Sequence, residues 1–202
     1  MNRRKFIYNS SLASLSVVGL NSCNLNSRNV KITILHTNDV HSQIEPFPSN
    51  HNLYPNKGGF ARRASLFKEI IELNHNTLIF DAGDIFQGTP YFNFFQGDLE
   101  LSLMKKMGYN AATIGNHEFD PGLKMLKQNI INNDFQFISS NYDFTNTELE
   151  GLVSKYKIYN KGGLKIGVFG LGIELKGLVN PLLFGETKYN DPVDIAKDMS
   201  SK

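Results

Sequence analysis

Three short polar clusters carry the side chains best suited to chemistry: Asp39-Val40-His41, Gly83-Asp84 and Gly115-Asn116-His117-Glu118. Each follows an apolar, strand-like run, and open α/β folds place their sites at the carboxyl ends of strands. Asp39 and His41 stand two apart, and in an extended chain residues i and i+2 point the same way. Both can then meet one cation. Asp84 offers two carboxylate oxygens that can bridge two ions, and Asn116 offers a neutral carbonyl oxygen. This mixture of donors suits divalent ions such as Zn²⁺, Mn²⁺ or Fe²⁺. Two such ions about 3.5–4 Å apart can activate a water and steady both oxygens of an in-line displacement. His117 and Asp120 form a second pair. The Asp120 carboxylate can hold the imidazole and favour its protonated form, which would stabilise a transferring phosphoryl group or protonate a leaving oxygen. Asp120 can equally be the N-cap of a following helix, or do both, since a carboxylate has two oxygens.

The elements that must position these groups follow from periodicity. Residues 30–37 (VKITILHT) alternate and are β-branched, which predicts a first strand. Residues 38–57 hold three prolines and read as a loop. Phe60, Ala64, Phe67 and Ile71 recur at helical spacing, giving a helix from Gly58 to about Leu73. Strands are expected at 77–80, 111–114 and 135–139, and helices at 99–107 and 121–131, the latter with Pro121 at its first position. Residues 85–97 read as an aromatic, Gly-rich loop. Residues 156–159 and 164–171 predict a hairpin around Lys161-Gly162-Gly163. A last helix begins at Asp191-Pro192 and runs on to Lys202. Strand–helix alternation argues for an α/β domain with a largely buried sheet.

Among the other polar and aromatic residues, His36 lies within the first strand and is expected to be packed or to support a ligand. His51 and His75 are expected to be exposed, and Glu118 to face away from the metals, with support of their ligands as the alternative. Phe86, Tyr91, Phe92, Phe94 and Phe95 could form a substrate platform, but local packing of a long loop is the preferred reading. Gly83, Gly88 and Gly115 are expected to serve tight turns.

The chain has 202 residues, 41% hydrophobic and 20% charged, enough for one well-buried domain. Arg3, Arg4 and Lys5 precede a short apolar run, Ser11–Leu20, which is too short to span a bilayer, since that takes ~20 residues. Residues 1–22 therefore read as an export signal of twin-arginine type, with a periplasmic or cell-envelope destination. Leu20-Asn21-Ser22-Cys23 looks like a lipoprotein cleavage box, which would lipidate Cys23 and tether the domain through residues 23–30. The alternative is a plain thiol near the N-terminus. Without Arg3, Arg4 and Lys5, 18 basic residues face 19 acidic ones, a net of −1. No basic patch points to nucleic acid.

Thr37-Asn38-Asp39-Val40-His41, Gly83-Asp84-Ile85-Phe86-Gln87-Gly88 and Gly115-Asn116-His117-Glu118-Phe119-Asp120 resemble the first three motifs of the calcineurin-like metallophosphoesterases. They are most similar to the 5'-nucleotidase / UDP-sugar hydrolase family, over roughly residues 31–202. The resemblance implies an α/β fold of metallophosphoesterase type, a β-sandwich flanked by helices. It implies that Asp39 and His41 bind a first metal and Asp84 bridges, while Asn116 binds a second metal and, with His117, contacts phosphate. His117 and Asp120 match the catalytic dyad. The family completes its site with a Gly-His and a Gly-His-x-His segment on later strands, and no histidine follows His117 here. The expectation is thus a partial domain, truncated before its last strands. It would hydrolyse nucleotide phosphate esters by metal-activated water, with a C-terminal substrate-binding domain missing or carried on a separate chain. Two alternatives stand beside it: a fragment without activity of its own or dependent on a partner, and a related periplasmic hydrolase with another substrate, such as a thiosulfate ester.

Overall fold

The computed structural model describes residues 29–202. The export signal, Cys23 and most of the tether lie outside the described residues. Lys31–Lys202 form one unit, built around a parallel sheet. Strands β1 (Thr33–Thr37), β2 (Thr77–Asp81) and β3 (Ala111–Ala112) pair in the order β1-β2-β3, with Thr37 beside Asp81 and Asp81 beside Ala112. Parallel neighbours need crossovers. Helix α1 (Phe60–Leu73) supplies the first. Helices α2 (Pro90–Phe95) and α3 (Asp98–Met107) supply the second. Helix α4 (Leu123–Asn133) follows β3. The central strand β2 is nearly all buried, whereas β1 alternates between half-buried and exposed. One core gathers Phe60 and Phe67 of α1, Ile79 of β2, Leu101 and Met104 of α3, and Leu126 and Ile130 of α4. Burying such a side chain contributes about 1.5–3 kcal/mol, so the packed helices α1, α3 and α4 fix the sheet and, with it, the strand ends.

The remainder is a set of smaller pieces. Residues 135–139, expected as a strand, pair only through single bridges, Phe137 to Ala112 and Ile138 to Ser154. Strand β4 (Tyr142–Asp143) pairs antiparallel with the distant β7 (Lys188–Tyr189). Strands β5 (Tyr156–Lys161) and β6 (Leu164–Phe169) form the expected hairpin. Its turn residues Gly162 and Gly163 both have positive φ, as a tight primed turn requires. Short helix α5 spans Pro181–Phe184. The last helix, α6 (Pro192–Ser200), is capped by Asp191, which accepts from the amides of Val193 and Asp194. It ends at Ser200 rather than continuing to Lys202. Among the described residues no helix is long and apolar enough to cross a membrane.

Three further expectations change. Residues 85–97 contain α2, begun by Pro90 in its first turn and stopped by the left-handed Gln96. The helix predicted from Pro121 begins instead at Leu123, after Gly122 at φ 79. Before it, His117–Phe119 form a single 3₁₀ turn, with Asp120 at that turn's C-terminal end. Asp120 is therefore not the N-cap of α4. His36 is exposed on β1 and borders a hollow with Phe80 and Phe169 rather than packing inside.

Candidate metal centre

The loops after β1, β2 and β3 carry the three polar clusters, and the first two are strapped together by backbone hydrogen bonds. Asp39, His41 and Ser42 donate their N–H groups to the carbonyls of Gly83, Asp84 and Ile85, at 2.9, 3.1 and 2.8 Å. The backbone there is unusual. Asp39, His41, Ser42, Asp84 and Gln87 all have positive φ, between 44° and 70°. A non-glycine residue held in this region costs on the order of 1–3 kcal/mol, and such residues persist where surrounding structure over-determines them. Three of the four expected ligands lie in this strained set. Asp39 and His41 thus meet through two left-handed residues, not through strand alternation: His41 Nε2 lies 3.8 Å from Asp39 Oδ1. Between them Val40 turns inward against the core.

His41, Asp84 and His117 each present a ligand atom, all within 4.8 Å of one another. The His41 and His117 rings sit 5.1 Å apart, edge to face. Asp84 Oδ1 accepts from the His117 amide at 3.1 Å. His117 Nδ1 lies 2.8 Å from Asp120 Oδ2, which leaves Nε2 for other partners. Asn116 opens the 3₁₀ turn in ordinary helical conformation and is half-buried. Two imidazoles and one carboxylate within 4.8 Å of one another are a donor set that a divalent cation fits. Asp39, His41, Asp84 and Asn116 would hold such ions, and His117 stands beside them with Asp120 behind.

Two buried carboxylates lie beneath the loops. Glu118 is fully buried, and its oxygens accept backbone N–H groups of both the Asp84 and the Asn116 loops. Burial pushes it up to about 7, against the lowering effect of the Gly115 and Asp84 amides. Glu100 of α3 is also fully buried. It accepts a hydrogen bond from the Ser42 hydroxyl, while Thr89 donates to the Ser42 carbonyl at 2.8 Å. This support of the first loop was missed in the sequence, although an acid among the inward-facing residues of an amphipathic helix (Leu101, Met104) is a visible signal.

Asp81, at the end of β2, accepts from Thr37 Oγ1 at 2.5 Å and from the Gly83 amide at 2.9 Å. Burial raises it to about 6 from 3.8, outweighing those two bonds and Arg63. The folded protein therefore holds a proton that the unfolded chain releases between pH 3.8 and about 6. Stability from this group is full below that window and is lost as pH rises through it, about 3 kcal/mol for a shift of roughly two units. Asp81→Asn is expected to remove this dependence. Urea unfolding of the metal-free protein should show the variant gaining about 2.4 kcal/mol on the wild type from pH 4 to pH 7.

Gly83 and Gly115 bring two of the loops into near contact. Gly83 has φ +97, and a Cβ there would lie 2.7 Å from the Gly115 nitrogen. Gly83→Ala is expected to cost about 1–3 kcal/mol, seen as a lower urea midpoint with an unchanged slope.

The aromatic cluster divides. Phe86 and Phe92 are buried, as packing predicts. Phe94 is 83% exposed and Phe95 47%. With Pro46, Pro48, Pro90 and Tyr91 they line an open groove of about 760 Å³. His75 is exposed as expected. His51 is half-buried, because its Nδ1 accepts the amides of Leu53 and Tyr54 and its ring packs on Phe47.

The mixed α/β domain gathers imidazole and carboxylate groups at its strand ends in an arrangement that could hold a metal ion. The chain belongs to the calcineurin-like phosphoesterases, whose family model matches residues 32–198. It is 37% identical over 147 residues to a snake venom 5'-nucleotidase of Gloydius brevicauda, covering 69% of this chain and 25% of that protein. Among solved structures it resembles a 5'-nucleotidase precursor from Thermus thermophilus, with TM-score 0.73 and 33% identity, over 83% of this chain and 33% of that one. It also resembles an NAD nucleotidase of Haemophilus influenzae, with TM-score 0.71 and 27% identity, over 85% and 32%. The family and these relatives are hydrolases, and the mixed α/β fold is that of their N-terminal domains. The chain spans about a quarter of the length of the curated relative it matches.

Proposed function

We propose that residues 31–202 form the metal-binding part of a dinuclear phosphoesterase that releases phosphate from nucleotides. The observation that carries this reading is the convergence of His41, Asp84 and His117 within 4.8 Å, with Asp120 bound to His117 at 2.8 Å. Asp39 and His41 would hold one divalent ion, Asp84 would serve both ions, and Asn116 would serve the second ion and the phosphate. Zn²⁺, Mn²⁺ and Fe²⁺ all suit these donors. Bound ions of this kind supply charge neutralisation and water activation. The chain's own part is positional and acidic. Asp120 accepts from Nδ1–H of His117 and fixes the tautomer and ring orientation. Nε2 is then free to donate to a phosphoryl or leaving oxygen.

The nucleotide assignment rests on the names of the relatives, which are nucleotidases. A further domain, in the same or a separate chain, would complete recognition of the base. The basic start, the apolar run and Cys23 support export to the periplasm or cell envelope and a lipid anchor, with residues 23–30 as tether. The test is orthophosphate release from a nucleoside 5'-monophosphate by the full chain with Mn²⁺. Release that stops on chelation is expected. Release that survives chelation, or a chain that takes up no Mn²⁺, would overturn the assignment.

A further inference from the structure

One buried carboxylate joins two of the ligand loops. Glu118 Oε2 accepts the amide of Gly115 at 2.6 Å and that of Asp84 at 3.0 Å. Its Oε1 accepts Ile85 at 2.7 Å and, more weakly, Phe86 at 3.3 Å. Three of these donors belong to the loop after β2 and the fourth to the loop after β3. Asp84 is left-handed. A left-handed residue in such a run turns successive N–H groups toward one side and forms a concavity that binds anions. Here the protein's own carboxylate fills it. One donor is the amide of Asp84 itself, and another immediately precedes Asn116. Any shift of Glu118 therefore moves the shared carboxylate relative to the second loop's ligand.

We infer that Glu118 is a positioning residue of the metal centre, fixing Asp84 relative to Asn116 by accepting the amides of both loops at once. The inference rests on the metal reading proposed above and deepens it. A glutamine in this place keeps the size but has one acceptor oxygen and an NH₂ group. Whichever way its amide lies, donors face donors on one side, and either the Asp84 and Gly115 amides or the Ile85 and Phe86 amides lose their partner. Groups that orient a metal's ligands typically change metal affinity by about 10–100-fold when altered.

The experiment compares the full chain with its Glu118→Gln variant by three measurements. Amide hydrogen exchange in the metal-free state reports the four bonds directly. Mn²⁺ titration by calorimetry reports affinity. The electron spin resonance line shape of bound Mn²⁺ reports ligand geometry. Expected are faster exchange at one pair of amides, Mn²⁺ affinity lower by about 10–100-fold, and an altered line shape, with circular dichroism unchanged. Exchange that quickens while affinity and line shape stay the same would overturn the inference and leave the metal reading intact. A wild-type chain that takes up no Mn²⁺ overturns both. If Glu118→Gln does not fold, Glu118→Asp carries the same measurements, since it keeps the charge but cannot reach both loops. Unfolding of both variants, not reversed by Mn²⁺, would make Glu118 a folding residue only and overturn the inference.

Discussion

Asp84→Asn is expected to lower phosphate-ester turnover by at least about 10³-fold, equivalent to about 4 kcal/mol of transition-state stabilisation, and to strip Mn²⁺ from the protein. Asp84 lies at the centre of the cluster. Its carboxylate is within ligand reach of both His41 and His117. Its carbonyl accepts the His41 amide, and its Oδ1 accepts the His117 amide. Asparagine is the informative replacement. It keeps the size and the acceptor for the His117 amide, and it tolerates the φ of 57° that Asp84 adopts. What it removes is the negative charge. A melting temperature close to the wild type's, with metal content by elemental analysis near zero, is the result that follows. A variant retaining both metal and activity would mean that the shared ligand lies elsewhere.

His117→Ala is expected to reduce turnover by about 10²–10⁴-fold, the usual contribution of a positioned acid or base, while Mn²⁺ stays bound. The reason is the division of labour on the ring. Nδ1 is taken by Asp120 at 2.8 Å, which leaves Nε2 for other partners. A side chain that acts on substrate oxygen leaves the ions in place when removed. A ligand takes one with it. Elemental analysis of the purified variant separates the two, because loss of Mn²⁺ together with activity would move His117 from the dyad to the ligand set. Asp120→Asn should give a smaller loss of turnover with the same metal content, since His117 remains but its orientation and charge are no longer supported.

Much of the site was legible in the sequence because its parts are local. Strands β1 and β2 announce themselves through β-branched and apolar runs, α1 through Phe60, Phe67 and Ile71 at helical spacing, and the loops through residues that rarely cluster without a ligand. What escaped depends on contacts across the chain. Asp and His adopt positive φ more often than most residues, but nothing local in Asp39, His41 or Asp84 requires it. That backbone is imposed by the straps from one loop to the next. Asp120 and Pro121 read as a helix start, but the chain first makes the 3₁₀ turn that aims His117 and then enters α4 through the left-handed Gly122. Helix α2 is six residues long and mostly aromatic, too short for a period to show. Strands β4 and β7 are two residues each and meet only because Tyr142 and Tyr189 are brought together by the fold. For Glu118 a supporting role behind the ligands is open in the sequence, and only the fold shows which amides of the two loops it accepts.

The most direct measurement is anomalous diffraction from crystals of the full chain grown with Mn²⁺. An anomalous peak bounded by Asp39, His41 and Asp84, with the Asp84 carboxylate in contact with the ion, is the predicted result. No peak among these residues, in crystals that carry Mn²⁺ elsewhere or none at all, would contradict it.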